Sequence, residues 1–143
     1  MIIHTAAEGI TLARNLENES ARFYEELAKQ LPQNAEIFLT FAKENKKYIT
    51  QIERAYYGVI TDAIEGCYAF NLESDKYKLD TAVPDKAEPA AVIAQAVKME
   101  EKIVQFYDEA AEQSRSLMAD VPRNFTIIAK KRDSRIAKLK TLS

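Results

Sequence analysis

Apolar residues recur at three- and four-residue steps along four stretches of the chain, which is the spacing of amphipathic α-helices packed against a core. The predicted helices lie at about 6–30, 34–64, 89–117 and 120–141. Thr5 opens the first of them, because Glu8 follows three residues later in the capping-box pattern, and Pro89 stands at the first turn of the third. The pattern predicts an all-α protein whose helices pair as two hairpins, over about 6–64 and 89–141.

The segment between the hairpins, about 66–88, shows no sustained apolar period and is predicted to be a long connection. Connections of this length inside a compact domain need a structural reason. An extended chain of roughly two dozen residues can run the full length of a helix of about 25 residues, which is about 38 Å. We therefore expect a single domain over 1–143, in which a crossover joins the second helix to the third and leaves those two helices parallel.

A segment of the first helix is repeated in the third. Leu16–Ala28 contains an acid seven residues before the Tyr of a Phe-Tyr pair, and Met99–Ala111 contains the same pattern. The acids are Glu17 and Glu100, and the tyrosines are Tyr24 and Tyr107. In the other two helices, Asn45 and Tyr48 correspond to Arg132 and Arg135. The two halves of the chain are therefore predicted to be related helix hairpins.

Helical spacing places four charged side chains on the apolar faces of these helices, namely Glu17, Glu100, Arg132 and Arg135. An ion that loses its water without gaining a partner costs several kcal/mol. Since the planar fork of arginine fits a carboxylate, we expect a buried cluster of these four side chains. The residues expected to complete its hydrogen bonds are Asn45, Tyr48 and the hydroxyl of Tyr24 or Tyr107. The sequence does not fix which acid meets which arginine, and it leaves open that one or both arginines reach the surface at the edge of the stripe.

Composition agrees with a helical fold and excludes several kinds of site. The chain has only three Gly and four Pro, and 47% of its residues are hydrophobic. Its one cysteine, Cys67, excludes an internal disulfide and any multi-cysteine metal site within one chain, and we expect it to be a small buried hydrophobe. No apolar run approaches the ~18 residues of a membrane helix, so we expect a cytoplasmic protein without a membrane partner.

Charge gives no reason to expect a nucleic-acid partner, because the formal net charge is only -2. Basic residues do concentrate within 130–140, but cations near the C-terminus of a helix are favoured by the helix dipole. We expect no nucleic-acid partner. We expect instead that the protein associates with itself, as a dimer, through an exposed helix face.

The step from Glu17 to Tyr24, repeated from Glu100 to Tyr107 and followed in the first copy by Leu27-Ala28, resembles the first and third helices of rubrerythrin-like members of the ferritin-like superfamily. The resemblance covers nearly the whole chain and implies a ferritin-like four-helix bundle with a long crossover between helices two and three. In that family one Glu from each of two helices and a Glu-x-x-His motif from each of the other two bind two iron ions. The resemblance therefore implies a di-iron oxidoreductase acting on peroxide or oxygen.

This sequence departs from the family at both Glu-x-x-His motifs. The corresponding positions are Asn45-x-x-Tyr48 and Arg132-x-x-Arg135, and the one histidine of the chain, His4, precedes the first helix. We expect the arginines to replace the metal ions. Tyr24 and Tyr107 resemble second-layer tyrosines of the family, but buried aromatic residues with a polar tip are more often part of the core, and we expect that role here. The sequence is therefore interpreted as a non-catalytic interaction or structural protein that needs no cofactor.

Two metal-dependent alternatives remain open. In the first, the protein is an iron oxidoreductase like its relatives, with Glu17 and Glu100 as ligands beside rearranged oxygen donors. Oxygen donors for a histidine-free site could come from Glu44, Glu53 and Asp133, although helical spacing favours solvated charges there. The second alternative is metal storage, which would need carboxylate-lined surfaces across an oligomer.

Overall fold

The computed structural model describes residues 1–59, 67–116 and 118–142. The four α-helices in these residues are α1 (Ala6–Gln30), α2 (Ala35–Tyr57), α3 (Pro89–Ser114) and α4 (Asp120–Lys140). The prediction of a mostly helical protein is confirmed. α1 begins at the predicted capping box, because the Thr5 hydroxyl accepts a hydrogen bond from the Glu8 amide at 3.1 Å and the Glu8 carboxylate accepts one from the Thr5 amide at 3.0 Å.

Two helices end earlier than predicted. α2 ends at Tyr57, where the Gly58 amide donates to the Arg54 carbonyl at 3.1 Å and caps the helix. The predicted continuation to about residue 64 is wrong at Gly58, because glycine loses more conformational freedom in a helix than other residues; residues 60–66 lie outside the described part of the chain. α3 ends at Ser114, short of the predicted end at residue 117, which also lies outside the described residues.

The connection after α2 contains a strand that the sequence pattern did not indicate. β2 (Tyr68–Glu73) pairs antiparallel with β1 (Ile2–Thr5), and Ile3 lies opposite Leu72. Phe70 and Leu72 are buried, and a 3₁₀ turn follows the strand. A segment this short gives little periodic signal, and its buried positions do not alternate regularly. Its partner strand also lies more than sixty residues earlier in the sequence. The expectation of a structureless connection is therefore wrong here.

Cys67 is exposed just before β2, so the expectation of a small buried hydrophobe is wrong. The side chain of the following residue, Tyr68, is also 73% exposed. Burial begins only at Ala69, where the strand turns toward the helices. The physical reason is position, since Cys67 lies outside both the helical stripe and the strand that cover the core.

The helices pack as two hairpins that meet along their buried faces. α1 lies along α2 and α3 lies along α4, and α2 also contacts α4 of the other hairpin. Buried aromatic side chains fill the interior, among them Phe23, Tyr24, Phe38, Phe106, Tyr107 and Phe125. Within the residues that the structure describes, none of the helices combines the length and apolar character needed to cross a bilayer.

The small sheet is seated on α1 through Gly9. A Cβ atom at this position would lie 2.2 Å from Cε2 of Phe70, whose ring is buried against the helix. We therefore expect Gly9→Ala to destabilise the fold by about 1–3 kcal/mol through overpacking, measured as the urea unfolding free energy. Gly58→Ala is the comparison variant, because its Cβ would lie 3.3 Å from the Arg54 carbonyl oxygen, which is a tight contact but not an overlap of the kind at Gly9. Equal stability of Gly9→Ala and wild type would mean that Phe70 is not held against α1.

Candidate functional site

The six residues of the predicted charge cluster lie together at the centre of the bundle. They are Glu17 from α1, Asn45 and Tyr48 from α2, Glu100 from α3, and Arg132 and Arg135 from α4. Their exposure is 0% for Glu17, Asn45, Glu100 and Arg132, 3% for Arg135 and 4% for Tyr48. Neither arginine reaches the surface, so the snorkelling alternative does not hold.

Arg132 bridges the two buried acids. Its Nη1 donates to Oε2 of Glu100 at 2.6 Å, and its Nη2 donates to Oε1 of Glu17 at 2.7 Å. Nη2 also lies within hydrogen-bond distance of Ser20 Oγ at 3.1 Å and of Asn45 Oδ1 at 3.2 Å. The pairing that the sequence left open is therefore asymmetric, because one guanidinium meets both acids.

Arg135 supports the cluster from one side and connects it to solvent. Its Nη1 donates to Asn45 Oδ1 at 2.7 Å and to Glu100 Oε1 at 3.1 Å. Its Nη2 donates to the Phe41 carbonyl at 3.3 Å and to Glu44 Oε1 at 3.1 Å. The Glu44 side chain is 42% exposed, so this carboxylate is partly solvated. Glu100 therefore has two arginine partners, whereas Glu17 has one.

The two tyrosines of the repeat exchange partners across the bundle. The Tyr24 hydroxyl donates to Glu100 at 2.6 Å, and the Tyr107 hydroxyl donates to Glu17 at 2.5 Å. Each tyrosine therefore bonds the acid of the other half of the chain. Burial and the adjacent carboxylates raise the pKa of both phenols well above its usual value, so both remain hydrogen-bond donors.

The pKa values of Glu17 and Glu100 shift in opposite directions, as their different numbers of arginine partners would lead one to expect. Burial raises the pKa of Glu17, and this effect exceeds the opposing effects of the Arg132 charge and the Tyr107 hydrogen bond. Burial also acts on Glu100, but the charges of Arg132 and Arg135 outweigh it and lower the pKa of that carboxyl. Although burial opposes the charge on Arg132, the two carboxylates raise the pKa of its guanidinium well above the usual value. The structure therefore holds Glu100 more firmly as an anion than Glu17.

Aromatic rings enclose the guanidinium groups. The Tyr48 ring centroid lies 5.7 Å from Cζ of Arg132 and 5.5 Å from Cζ of Arg135. Phe41 lies closer still, with its ring centroid 4.5 Å from Cζ of Arg135. These distances suit cation–π contact. Tyr48 was expected to supply a hydrogen bond, but what it contributes to the cluster is the face of its ring, which lies against both guanidinium groups.

Ser20 belongs to the cluster although the sequence reasoning did not include it. Its hydroxyl accepts a hydrogen bond from Asn45 Nδ2 at 2.7 Å and donates to the Glu17 carbonyl at 3.2 Å. Ser20 is fully buried one helical step from Glu17. This three-residue spacing could have identified Ser20 from the sequence. A small polar residue on the apolar stripe beside a buried acid is placed to form hydrogen bonds with the groups that surround that acid.

The residues present do not fit a di-iron centre. The Arg132 guanidinium occupies the space between the Glu17 and Glu100 carboxylates, 2.6–2.7 Å from the oxygen atoms that would face a metal ion. The remaining polar groups of the cluster are phenol, amide, hydroxyl and a second guanidinium, which are poor replacements for imidazole and carboxylate ligands. In residues 1–59, 67–116 and 118–142, no three His, Cys, Asp or Glu side chains converge as a metal site would require.

The acids proposed for a histidine-free site are not brought together. Glu44 contacts Arg135, and Glu53 pairs instead with Arg14 at 3.0 Å. Asp133 lies on the exposed side of α4. These three carboxylates therefore supply no common ligand set, and Glu44 is an ion-pair partner rather than the purely solvated charge that was expected.

Most polar groups of the cluster are paired within it. Nε of Arg132 is the one buried side-chain nitrogen or oxygen without a hydrogen-bond partner in the described part of the chain. Both Nη groups of that arginine, both buried carboxylates and both repeat tyrosines are paired.

Comparisons of the chain with protein-family models, with curated proteins and with solved structures gave no match.

Proposed function

We propose that this chain is a ferritin-like helical bundle, similar to rubrerythrins, in which a fixed guanidinium takes the place of metal. The observation that carries the proposal is the position of Arg132, whose two Nη groups lie 2.6 and 2.7 Å from carboxylates of α3 and α1. One guanidinium so placed neutralises part of the charge of both acids. It also fills the volume that a metal ion between them would need.

The arrangement of the helices supports the same proposal. The duplicated Glu-to-Tyr pattern falls on α1 and α3, and its tyrosines reach across to the opposite acids. In α2 and α4, the positions that correspond to Glu-x-x-His point at the same centre and carry Asn45, Tyr48, Arg132 and Arg135. A bundle of two related hairpins around one polar centre is the architecture in which carboxylate-bound metals are found.

The chemistry of the substituted centre favours a non-catalytic role. An arginine cannot change oxidation state, and in proteins it does not release its proton. The two phenols keep their protons and donate hydrogen bonds to the buried carboxylates. Neither the phenols nor these carboxylates are therefore free to act as a base on a substrate. We propose that the protein acts through its surfaces, as an interaction or structural protein.

The test is the metal content of the purified protein after reconstitution with iron or manganese, measured by elemental analysis. We expect far less than one metal ion per wild-type chain. Stoichiometric iron would contradict the proposal and support an oxidoreductase that uses Glu17 and Glu100. This arm uses the wild-type protein and so does not depend on the folding of any variant.

A second experiment tests whether Arg132 and Arg135 prevent metal ions from binding between the buried acids. The double variant Arg132→Ala, Arg135→Ala leaves both buried acids without their cations. We expect it either to unfold, as followed by circular dichroism, or to gain affinity for divalent cations. Adding Glu17→Gln to the double variant is the matched control, since it removes one carboxylate and should remove any gained affinity. A stable double variant without metal would contradict the proposal.

A further inference from the structure

A polar groove runs along the outside of the bundle between α2 and α4. It consists of two adjoining cavities of about 590 and 430 Å³, which share Lys47 and Gln51. Arg54 and Asn124 line the first cavity, and Lys131 lines the second. The groove adjoins the buried cluster at Tyr48 and Glu44, which line its second cavity. Its other charged lining groups are these three cations and the Asp120 carboxylate.

The two walls of the groove are fixed relative to each other. Gln51 Nε2 donates to Asn124 Oδ1 at 2.7 Å, and Arg135 Nη2 donates to Glu44 Oε1 at 3.1 Å. The first contact joins the C-terminal part of α2 to the N-terminal part of α4. The second joins a residue nearer the N-terminus of α2 to one nearer the C-terminus of α4. The helices are therefore antiparallel, and the groove is a preformed feature of the bundle.

Each wall presents one stripe of side chains at steps of three and four residues. The stripe of α2 is Lys43, Lys47, Thr50, Arg54 and Tyr57. The stripe of α4 is Asn124, Ile127, Lys131, Ser134 and Lys138. Neither stripe contains an acid, and successive side chains in a stripe are about 4.5–6 Å apart along the helix axis. Of the cations on these stripes, Lys47, Arg54 and Lys131 line the cavities, and Lys43 and Lys138 lie one helical step beyond the lining residues.

The acids closest in sequence to these stripes are mostly turned away or neutralised. Glu44 contacts Arg135 and Glu53 contacts Arg14. Asp133 is two residues beyond Lys131 and is therefore on the other side of α4 from the groove. After burial, its charge contributes to the raised pKa of Asp108 on α3. Asp120 remains at one end of the groove.

The cations of the groove consequently have no carboxylate partners. Within residues 1–59, 67–116 and 118–142, no ion pair involves Lys43, Lys47, Arg54, Lys131 or Lys138. The Lys131 ammonium lies over the Tyr48 ring, 5.7 Å from its centroid. A chain with a net charge of only -2 therefore concentrates unpaired positive charge along one face.

We infer that this groove binds a single strand of nucleic acid. Within each stripe the cations are four or seven residues apart, about 6–10.5 Å along the helix axis, so an extended strand can place some of its phosphates beside them. An exposed aromatic ring offers a surface on which a base can stack. Tyr57 supplies that ring at the end of the α2 stripe and is 61% exposed. Single-stranded nucleic acid is thus a partner class for the interaction role proposed above and rests on that role, but it does not require that Arg132 bridges the two buried acids.

The inference departs from the expectation drawn from the sequence. Net charge and the basic end of α4 alone gave no reason to expect nucleic acid. The cations of α2 become relevant only when the fold sets them opposite those of α4, and when Glu44 and Glu53 are seen to be paired elsewhere. A count of charges along the sequence shows neither which helices face each other nor which acids are paired.

The experiment is fluorescence anisotropy with labelled single-stranded RNA and single-stranded DNA of mixed sequence. For three phosphate contacts, the slope of log affinity against log salt concentration should be about -2. The variant Lys47→Glu, Lys131→Glu should bind roughly tenfold or more weakly at low salt and show a slope smaller in magnitude by about 1.4. Tyr57→Ala should weaken binding about fivefold or more without changing the slope.

The matched control is Lys29→Glu, Lys98→Glu, which makes the same change of charge at exposed lysines outside the groove. Equal weakening by the control would overturn the inference, as would no binding by wild type at low salt. Tighter binding to a duplex would also overturn it, and so would equal binding to heparin together with an unaffected Tyr57→Ala variant. Metal analysis separates the two proposals, because bound iron would refute the arginine-filled centre and leave the groove result unchanged.

Discussion

Replacing Arg132 with alanine is expected to destabilise the protein by about 3–5 kcal/mol, because it leaves two buried carboxylates without their shared cation. Glu17 would lose its one arginine partner, and Glu100 would keep Arg135 alone. Both acids are fully buried, so water cannot replace the lost hydrogen bonds without opening the core. The measurement is urea unfolding followed by circular dichroism at pH 7.

Arg123→Ala is the control for that measurement, since Arg123 lies on the same helix with an exposed side chain. It should change stability by no more than about 0.5 kcal/mol. Arg132→Lys should fall between the two variants, because one ammonium cannot reproduce the two-sided fork that reaches both acids. A loss of stability for Arg132→Ala as small as that of the control would show that the cluster is not what satisfies the buried acids.

Glu100→Gln is expected to cost more stability than Glu17→Gln at pH 7, about 3 kcal/mol against about 1–2 kcal/mol. The isosteric amide removes the charge while keeping the shape of the side chain. At Glu100 that charge interacts with Arg132 at 2.6 Å and Arg135 at 3.1 Å, whereas at Glu17 it interacts directly with Arg132 alone. Unfolding free energies of the two variants give the comparison, with exposed Glu101→Gln as the neighbouring control.

The pH dependence of these two variants should have opposite signs. The pKa of Glu100 is lowered in the fold, so its stabilisation is present above its unfolded pKa of about 4.5 and is lost as pH falls through the folded pKa. The pKa of Glu17 is raised, so its stabilising effect is present below about 4.5 and is lost as pH rises through the folded pKa. On acidification, the difference from wild type should narrow for Glu100→Gln and widen for Glu17→Gln. The same trend in both variants would contradict the assigned asymmetry.

The helices and the members of the cluster could be predicted because both depend on local periodicity. Three- and four-residue steps placed Glu17 and Arg132 on apolar faces, and a buried ion needs a partner wherever it lies. The repeat of the Glu-to-Tyr pattern added that the two halves of the chain should be related helix hairpins. The sequence alone was therefore sufficient to predict which charges meet, but not how.

The remaining details depend on three-dimensional contacts that periodicity does not encode. β2 pairs with a strand more than sixty residues earlier, so its short apolar pattern has no local explanation. The pairing of each repeat tyrosine with the opposite acid follows from how the hairpins meet. The choice of Arg132 rather than Arg135 as the bridge depends on which side chain reaches the midpoint between α1 and α3.

The single bridging guanidinium also bears on how such a chain could have arisen by duplication. In a symmetric dimer of identical hairpins, every substitution occurs twice, so an arginine at this position would bring two guanidinium groups to one space between the same two acids. Here the counterpart of Arg132 in the other hairpin is Asn45, whose Oδ1 accepts from that arginine at 3.2 Å. Joining both hairpins in one chain lets the two copies diverge independently. A single chain can therefore place one bridging arginine opposite one asparagine, which two identical hairpins related by symmetry cannot do.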